Sequence, residues 1–202
     1  MPKRSIVALC LPPLLLLCAC SPRNFLTRRL AADLIASSDA FRAPQLLWLR
    51  TGVISNKDYL SPDYVVLEHR GWISGTKSAC PAGLAPAPCW DVVLTPSGVD
   101  TFQPLISEGD RSKQYFSVPA ARRELGAITG IIKQGKLADV EFNWKWVPLN
   151  EIGAALYSGE LHYRSTTGFR SYDDGWRLLD SAVRSGQTVD DALKNAEPAA
   201  AQ

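Results

Sequence analysis

The side chains that could do chemistry in this 202-residue chain are few and scattered, and they include five cysteines and two histidines. There is no Gly-x-Ser-x-Gly elbow, no His-Glu-x-x-His motif and no glycine-rich phosphate loop. Asp173 and Asp174 are a conceivable acid and base pair, but neighbours in a tight turn usually bond the local backbone. Glu68 and His69 are adjacent on a predicted helix and so face in different directions. We therefore predict no catalytic residue, no metal ligand and no cofactor, and we do not expect an enzyme.

The first 19 residues have the three parts of an export signal. Two basic residues near the start are followed by a largely apolar stretch that closes on the small residue Ala19. A transmembrane helix needs about 20 apolar residues, whereas this stretch is shorter and is interrupted by Pro12 and Pro13. We predict a signal peptide over residues 1–19.

The run Leu17-Cys18-Ala19-Cys20 resembles the lipobox of bacterial lipoproteins. In that family a peptidase cuts before the cysteine, whose sulfur and new amino group then carry acyl chains. The resemblance implies lipid attachment at Cys20, a lipidated tether over residues 20–24, and an address in the cell envelope facing the periplasm. Each buried methylene adds about 0.8 kcal/mol to membrane binding, so several chains hold firmly. A serine after the cysteine, here Ser21, usually implies the outer membrane in that family.

The charge of the mature chain is balanced. The full chain has 22 basic and 20 acidic residues, and removal of residues 1–19 discards two bases and no acid. Because such a chain lacks the positive field of nucleic-acid-binding proteins, we predict no nucleic-acid partner. Basic residues still outnumber acidic ones near the N-terminus. A solvated helix face explains this excess, and contact with anionic headgroups beside the anchor is the alternative. The residues concerned are Arg23, Arg28, Arg29, Arg42 and Arg50, against Asp33 and Asp39.

Cys80 and Cys89 remain once the signal is removed and Cys20 is acylated. The loop between them is rich in proline and alanine. Closing it in an oxidising compartment stabilises the fold by roughly 2 to 3 kcal/mol in the chain-entropy model. A redox pair or half of a metal site is less well supported, because there is no CxxC spacing and only His69 and His162 offer imidazole ligands. We predict a structural disulfide.

Periodicity and turn residues predict the elements of the N-terminal half. Apolar residues at helical spacing predict an amphipathic helix over residues 25–41. Residues 46–54 are apolar but are interrupted by a glycine, and their spacing fits a strand or a short helix. Pro62 and the stop residue Gly71 bound a helix over residues 62–70. Two short strands follow, over residues 72–73 and 90–94, and then a turn over residues 95–98.

This region resembles the last helix and β-wing of winged-helix proteins. The resemblance is carried by Tyr64-Val65-Val66-Leu67-Glu68-His69-Arg70-Gly71-Trp72-Ile73 and by Val92-Val93-Leu94-Thr95-Pro96-Ser97-Gly98. DNA-binding members place basic and amide side chains of this helix in the major groove. Here the polar residues of the helix are Asp63, Glu68, His69 and Arg70. The resemblance therefore implies a winged-helix-like unit suited to protein contact rather than to DNA.

The second half contains two predicted hairpins. We predict a short helix over residues 117–124, strands over residues 127–132 and 137–147 around Gly135, and a helical turn from Asn150. Strands over residues 161–172 and 176–183 join across Asp173-Asp174-Gly175, a strong turn signal. These elements complete a single globular domain over residues 25–185, and residues 186–202 are predicted to be a disordered tail.

The clearest alternation lies in the strand over residues 137–147, where Phe142, Trp144 and Trp146 share one face. The helix-first order and Asp173-Asp174-Gly175-Trp176-Arg177 resemble small cystatin-like or NTF2-like domains, whose curved sheet surrounds a core or a cavity. The predicted fold is thus α+β: an N-terminal helix, a winged-helix-like helix-hairpin unit, and a curved antiparallel sheet of two aromatic-rich hairpins. The aromatic row either fills the core, which a half-buried strand requires, or stacks on a sugar or other flat ligand.

Taken together, these patterns favour a non-catalytic binding or assembly module of the cell envelope. Its expected partners are membrane lipid, through acylated Cys20, and another envelope protein. The alternative is a small-ligand carrier with a cavity behind Phe142, Trp144 and Trp146. An envelope enzyme is a third reading, for which the sequence offers no set of residues.

Overall fold

The computed structural model describes residues 25–83, 87–106, 108–110, 115–157, 159, 161–180 and 186–199, so the predicted signal peptide and Cys20 lie outside the described residues. The fold is mixed α+β with antiparallel sheets, as predicted. Its helices are α1 (Arg28–Ser37), α2 (Asp39–Arg42), α3 (Asn56–Tyr59), α4 (Pro62–His69), α5 (Pro96–Phe102), α6 (Glu151–Leu156) and α7 (Val189–Lys194), with a 3-10 turn at Gln103–Leu105. Its strands are β1 (Gln45–Arg50), β2 (Gly52–Ser55), β3 (Ile73–Ser78), β4 (Cys89–Leu94), β5 (Glu108–Asp110), β6 (Tyr115–Gln134), β7 (Leu137–Pro148), β8 (His162–Tyr172), β9 (Gly175–Leu178) and β10 (Glu197–Ala199).

The larger sheet has the strand order β1-β6-β7-β8-β10, with β5 added to β6 and β9 added to β8. The long hairpin β6–β7 forms its centre and turns at Gly135, whose φ of 63° suits a residue without a Cβ. The second hairpin, β8–β9, turns at Gly175 with φ of 136°. The two predicted hairpin turns are therefore confirmed.

One core lies between this sheet and the helices α1, α2 and α7. Thr27 begins α1, since its hydroxyl accepts from the backbone N–H of Leu30 at 3.1 Å. Ser38 ends α1 and begins α2, accepting from the N–H of Phe41 at 3.3 Å. The predicted helix over residues 25–41 is thus present as two helices. We call this the helix-covered core; its buried residues are Leu26, Ala31, Ile35, Phe41, Ile128, Ala138, Val140, Phe142, Trp144, Phe169, Trp176, Val189 and Leu193.

A second core forms around the smaller sheet, whose order is β2-β4-β3. The helices α3 and α4 connect β2 to β3, and α4 begins with Pro62 in its first turn, as predicted. The undecided stretch over residues 46–54 forms β1 and most of β2. We call this second cluster the small-sheet core; its buried residues are Leu47, Leu49, Ile54, Tyr59, Tyr64, Leu67, Trp72, Ile73, Val92, Phe102, Val118, Ala120 and Ile152.

Strand β6 is shared by both cores. Opposite residues on neighbouring strands point to one face, so Leu125 faces the same side as its β7 partner Trp144. Val118 and Ala120, near the start of β6, are an odd number of residues away from Leu125. Because side chains alternate along a strand, they point to the other face, into the small-sheet core. The two cores therefore lie on opposite faces of the sheet and toward opposite ends of β6.

The predicted helix over residues 117–124 is wrong, because this segment belongs to β6. It pairs with β1 on one side and with β5 and β7 on the other. Pro119 is tolerated there because it lies between the residues of β6 that pair with β5 and those that pair with β7, so its missing N–H removes no ladder hydrogen bond on that side. Its carbonyl accepts from the side-chain amide of Asn150 at 2.7 Å. Pairing on both sides of the strand overrides the local proline signal. The predicted turn over residues 95–98 instead begins α5, with Thr95 as its cap.

The predicted disordered tail is wrong for residues 186–199. They form α7 and β10, and β10 pairs with β8 through Pro198 and Tyr163. Val189 and Leu193 of α7 pack into the helix-covered core. The polar composition of the segment hides two apolar residues at helical spacing, and their burial orders the segment. The domain therefore extends past the predicted limit at residue 185.

The predicted disulfide joins Cys80 and Cys89, whose Cα atoms are 5.1 Å apart. Cys89 is buried and stands opposite Ser78 at the end of β3. The bond therefore closes the loop between β3 and β4 at its base, next to the small-sheet core.

Candidate functional site

Most of the predicted aromatic row is core. Phe142 is fully buried, and Trp144 is 2% exposed. The Phe41 ring meets Phe142 edge-on with centroids 6.3 Å apart, and the indole N–H of Trp144 donates to the Ser165 hydroxyl at 3.0 Å. The expectation of burial is confirmed for these two residues, so their side chains have no open face for a ligand.

Trp146 is the only member of the predicted set Phe142, Trp144 and Trp146 that reaches a cleft. The guanidinium of Arg123 lies over its ring, 4.6 Å from the centroid, and donates to the carbonyls of Ala40 and Ala43 at 3.1 and 2.9 Å. Burial lowers the pKa of Arg123. Since Arg123 already covers this ring, little of Trp146 is left for a ligand. The cleft holds about 170 Å³ and is lined by Trp146, Leu156, Tyr157, Gly159, Leu161 and Tyr163.

A different site lies at the outer edge of β1. The hydroxyl of Tyr64 accepts from the backbone N–H of Arg50 and donates to the carbonyl of Arg50, both at 2.8 Å. These backbone groups of Arg50 therefore point away from β6. Backbone groups alternate in direction along a strand, so those of Leu46 and Trp48 point outward as well. Among the described residues β1 pairs with β6 alone, and the outward backbone groups of Leu46 and Trp48, unlike those of Arg50, have no hydrogen-bond partner.

An open groove runs along this edge and has a volume of about 320 Å³. One wall is the edge itself, where the ring of Trp48 stacks on Tyr115 with centroids 5.0 Å apart. Trp48 is 44% exposed and Tyr115 is 39% exposed, so the stacked pair presents an apolar surface to solvent. The opposite wall is α3 and the start of α4. We call this the β1-edge groove; its lining residues are Trp48, Arg50, Ile54, Lys57, Asp58, Ser61, Asp63 and Tyr64.

Asp63 gives the groove an exposed carboxylate. Partial removal of this carboxyl group from water raises its pKa. Within the described ranges no ion pair or side-chain hydrogen bond involves Asp63. Its charge also helps to raise the pKa of Tyr157, for which burial is the larger cause. A backbone N–H or a basic side chain entering the groove could form a charge-assisted hydrogen bond with the Asp63 carboxylate.

The sequence contained a signal for this site that the glycine in residues 46–54 obscured. Leu47 and Leu49 are buried, whereas Trp48 and Arg50 are exposed, which is the alternation of a strand with one wet face. The pattern did not indicate that β1 would be an edge strand, because that depends on where β6 pairs.

The other chemically suggestive residues do not come together. Glu68 accepts a hydrogen bond from the Tyr59 hydroxyl, while His69, its neighbour in sequence, is exposed. Asp174 pairs with Arg177 in the β8–β9 turn, at the other end of β6 from the groove. In the part of the chain that the structure describes, no group of three or more His, Cys, Asp or Glu residues is placed to hold a metal ion.

No family model, no curated protein and no solved structure matches this chain. None of the described helices combines the length and the apolar character that crossing a bilayer requires.

Proposed function

We propose that this protein is a lipid-anchored binding module of the cell envelope, facing the periplasm from the outer membrane. Its body binds an extended segment of another envelope protein along the β1-edge groove, without catalysis. The observation that carries the binding half of this proposal is the unpaired outer edge of β1 at Leu46 and Trp48, beside the exposed Trp48 and Tyr115 rings.

The proposed location in the cell envelope rests on two independent features. The lipobox-like run ending at Cys20 supports an acylated first residue of the mature chain. The Cys80–Cys89 disulfide supports an oxidising compartment, since such bonds are rare in the cytosol. Ser21 favours the outer membrane.

The binding mode rests on the chemistry of the groove. An extended peptide that adds a strand to an open sheet edge gains backbone hydrogen bonds, and its alternate side chains fill neighbouring pockets. Here the outward N–H and C=O groups of Trp48 offer the backbone bonds, and the Trp48 and Tyr115 rings offer apolar contact. Asp63 favours a partner segment that brings a basic side chain or a free N–H.

The small-ligand carrier is less well supported. Small-molecule pockets usually hold about 300 to 1,000 Å³, whereas the cleft at Trp146 holds about 170 Å³. Phe142 and Trp144, which were to line the cavity, are buried in the helix-covered core.

The anchor is tested by the intact mass of the protein purified from its own membranes. We expect the loss of residues 1–19, an added mass from acyl groups on Cys20, and a mass lower by two hydrogen atoms from the disulfide between Cys80 and Cys89. A Cys20→Ser variant is the matched control and should lack the acyl mass. An unprocessed chain in the cytosol, with Cys80 and Cys89 reduced, would contradict the proposed location in the cell envelope.

The groove is tested by photo-crosslinking in cells that express the full-length protein. Lys57, which is exposed and lines the groove, is replaced by p-benzoylphenylalanine. We expect one discrete adduct whose crosslink maps to an extended segment of an envelope protein. The adduct should disappear on adding Trp48→Ala or Asp63→Asn.

The same photo-reactive residue at Asp100, which is exposed on α5 outside the groove, is the control position. Equal adducts from both positions, or an adduct at Lys57 that survives Trp48→Ala, would exclude binding in the groove. Far-UV circular dichroism of each variant checks that the fold is retained.

A further inference from the structure

The length of the chain limits the distance between the proposed lipid anchor and the described domain. The described residues begin at Phe25, five positions after Cys20. An extended chain spans at most about 3.6 Å per residue, so Cys20 lies within about 18 Å of Phe25. The surface around Phe25 is therefore the part of the domain that the proposed anchor holds closest to the bilayer.

Phe25 lies against the tips of both hairpins. The Lys133 ammonium group is 5.5 Å from the centroid of the Phe25 ring and 5.7 Å from that of Trp176 on β9. The two tips are neighbours, because the N–H of Ser171 donates to the carbonyl of Lys136 at 2.8 Å. The N-terminal end of the domain and the turns of both hairpins thus form one pole of the molecule.

This pole is basic although the mature chain is neutral. Residues 133–136 and 170–177 contain four basic and two acidic residues, and residues 25–29 contain two basic residues and no acid. These ranges carry a net charge of +4, so the rest of the mature chain carries −4. Among the described residues no ion pair involves Lys133, Lys136 or Arg170.

Apolar side chains are exposed at the same pole. Phe25 is 57% exposed, Ile132 is 64% exposed and Tyr172 is 45% exposed. The guanidinium groups of Arg170 and Arg177 lie 5.6 and 5.0 Å from the centroid of the Tyr172 ring. Basic groups surrounding exposed aromatic and aliphatic side chains are the composition of a surface that sits at the headgroup level of a membrane.

We propose that this basic pole, formed by Phe25, Arg28, Ile132, Lys133, Lys136, Arg170, Tyr172 and Arg177, lies on the bilayer and contacts anionic lipid headgroups. The inference rests on the proposed anchor at Cys20, which places this end of the domain at the membrane. The charge of the pole complements the negative headgroups, and the tether is too short to hold the domain far from them.

This orientation has a consequence for the partner. Strand β6 starts beside the β1-edge groove, where Tyr115 stacks on Trp48, and ends at the pole, at Gln134. At about 3.3 Å per residue, its 20 residues span up to about 60 Å. In this orientation the groove lies at the far end of the domain, away from the bilayer.

The test uses the lipidated protein reconstituted in vesicles of phosphatidylcholine with or without phosphatidylglycerol, which contain a headgroup spin-labelled lipid. A fluorophore is attached at Gln134→Cys on the pole or at Asp100→Cys on α5. We expect the spin label to quench the Gln134 probe several times more strongly than the Asp100 probe, and most strongly with phosphatidylglycerol. Salt should weaken this difference, because the contact is electrostatic.

Two triple variants with the same change in charge sharpen the test. Lys133→Gln, Lys136→Gln and Arg170→Gln together should lower quenching of the Gln134 probe toward that of the Asp100 probe. Arg70→Gln, Lys77→Gln and Arg122→Gln change exposed residues outside the pole and outside the groove, and should leave this quenching unchanged. Equal effects of the two sets, or equal quenching of the two probes, overturn the assignment of the pole.

The mass spectrum of the same preparation distinguishes a failure of the proposed pole from a failure of the proposed lipid anchor. A chain without acyl groups on Cys20 overturns both the anchor and the pole. An acylated chain whose Gln134 probe is not preferentially quenched leaves the anchor intact and overturns the pole alone. Circular dichroism of each variant shows whether a loss of quenching reflects a loss of fold.

Discussion

The helix-covered core and the small-sheet core use the same long strand but are assembled from different parts of the chain. The helix-covered core joins Leu26 near the start of the described chain to Leu193 near its end. The small-sheet core draws on residues from Leu47 to Ala120 with Ile152 added, and a disulfide adjoins it. The first therefore depends on contacts between distant segments, whereas the second is nearly continuous in sequence and is covalently braced.

This difference matches the proposed roles of the two regions. The helix-covered core supports the basic pole near the proposed anchor, and the small-sheet core supports the β1-edge groove. Strand β6 makes them one body, because it contributes Ile128 to one core and Val118 to the other. The following experiments test how far the two cores are separable.

The largest effect is expected from removing one phenylalanine ring from each core. Phe142 and Phe102 are both fully buried, in the helix-covered and small-sheet cores respectively. Phe142→Ala and Phe102→Ala should each lower the free energy of unfolding by about 3 to 5 kcal/mol. Urea unfolding followed by circular dichroism and tryptophan fluorescence should give one shared transition. Two separate transitions would show that β6 does not couple the cores.

The disulfide should matter next. Replacing Cys80 and Cys89 together by serine should lower the free energy of unfolding by roughly 2 to 3 kcal/mol. Hydrogen exchange should rise in β3 and β4 more than in β8, because the bond closes the loop between β3 and β4. Reduction of the unchanged protein is the control and should reproduce the effect. Equal loss of protection in β8 would contradict local bracing of the small-sheet core.

A close approach between α6 and β6 should be sensitive to a single methyl group. A Cβ at Gly153 would overlap the backbone oxygen of Ala120. Gly153→Ala should therefore lower the free energy of unfolding by about 1 to 3 kcal/mol. Gly130→Ala is the matched control, because the nearest atom to its new Cβ would be 3.7 Å away. Thermal unfolding should rank the two variants, and a similar loss in both would argue against a steric cause at Gly153.

The smallest effect is confined to alkaline pH. Burial, with the hydrogen bond and charge of Glu68, raises the pKa of Tyr59 from 10.0 to about 12. The folded protein therefore holds this proton more tightly than the unfolded chain does. Its contribution to stability is complete below about pH 10 and is lost as the pH rises through about 12. The free energy of unfolding should fall less between pH 9 and 11 in Tyr59→Phe than in the unchanged protein.

Glu68→Gln is the control for the cause of that shift, since it removes the charge and keeps a hydrogen-bond acceptor. Glu68→Gln should also reduce the loss of stability at alkaline pH, though less than Tyr59→Phe does. The reason is that burial is the larger cause of the raised pKa of Tyr59. An unchanged pH profile in both variants would mean that other groups govern alkaline stability.

Sequence reasoning worked where neighbouring residues decide the structure. The turns at Gly135 and Gly175, the start of α4 at Pro62 and the alternation that buries Phe142 and Trp144 are all local signals. Sequence reasoning failed where pairing between segments far apart in the chain decides the structure. Pro119 suggested a helix start, but strands on both sides hold it in β6. Val189 and Leu193 looked like part of a polar tail, but the helix-covered core buries them.

The candidate site was less predictable than the fold. Trp48 and Asp63 are 15 positions apart, and no sequence motif joins them. Their proximity requires β1 to be the edge of one sheet while the next strand joins another. Only the bond from Tyr64 to the Arg50 backbone shows which way the edge of β1 points.

The amino-acid sequence alone determined the strand alternation, the hairpin turns, the presence of Cys80 and Cys89 as candidates for a disulfide, and the nearly balanced charge of the chain. These properties depend on residue types and short spacings, which do not change with the path of the chain. The tertiary structure decided which strand edge stays open, which aromatic rings are exposed and where the basic residues gather. Those properties arise when segments far apart in sequence become neighbours, and short-range preferences carry no information about which segments will meet.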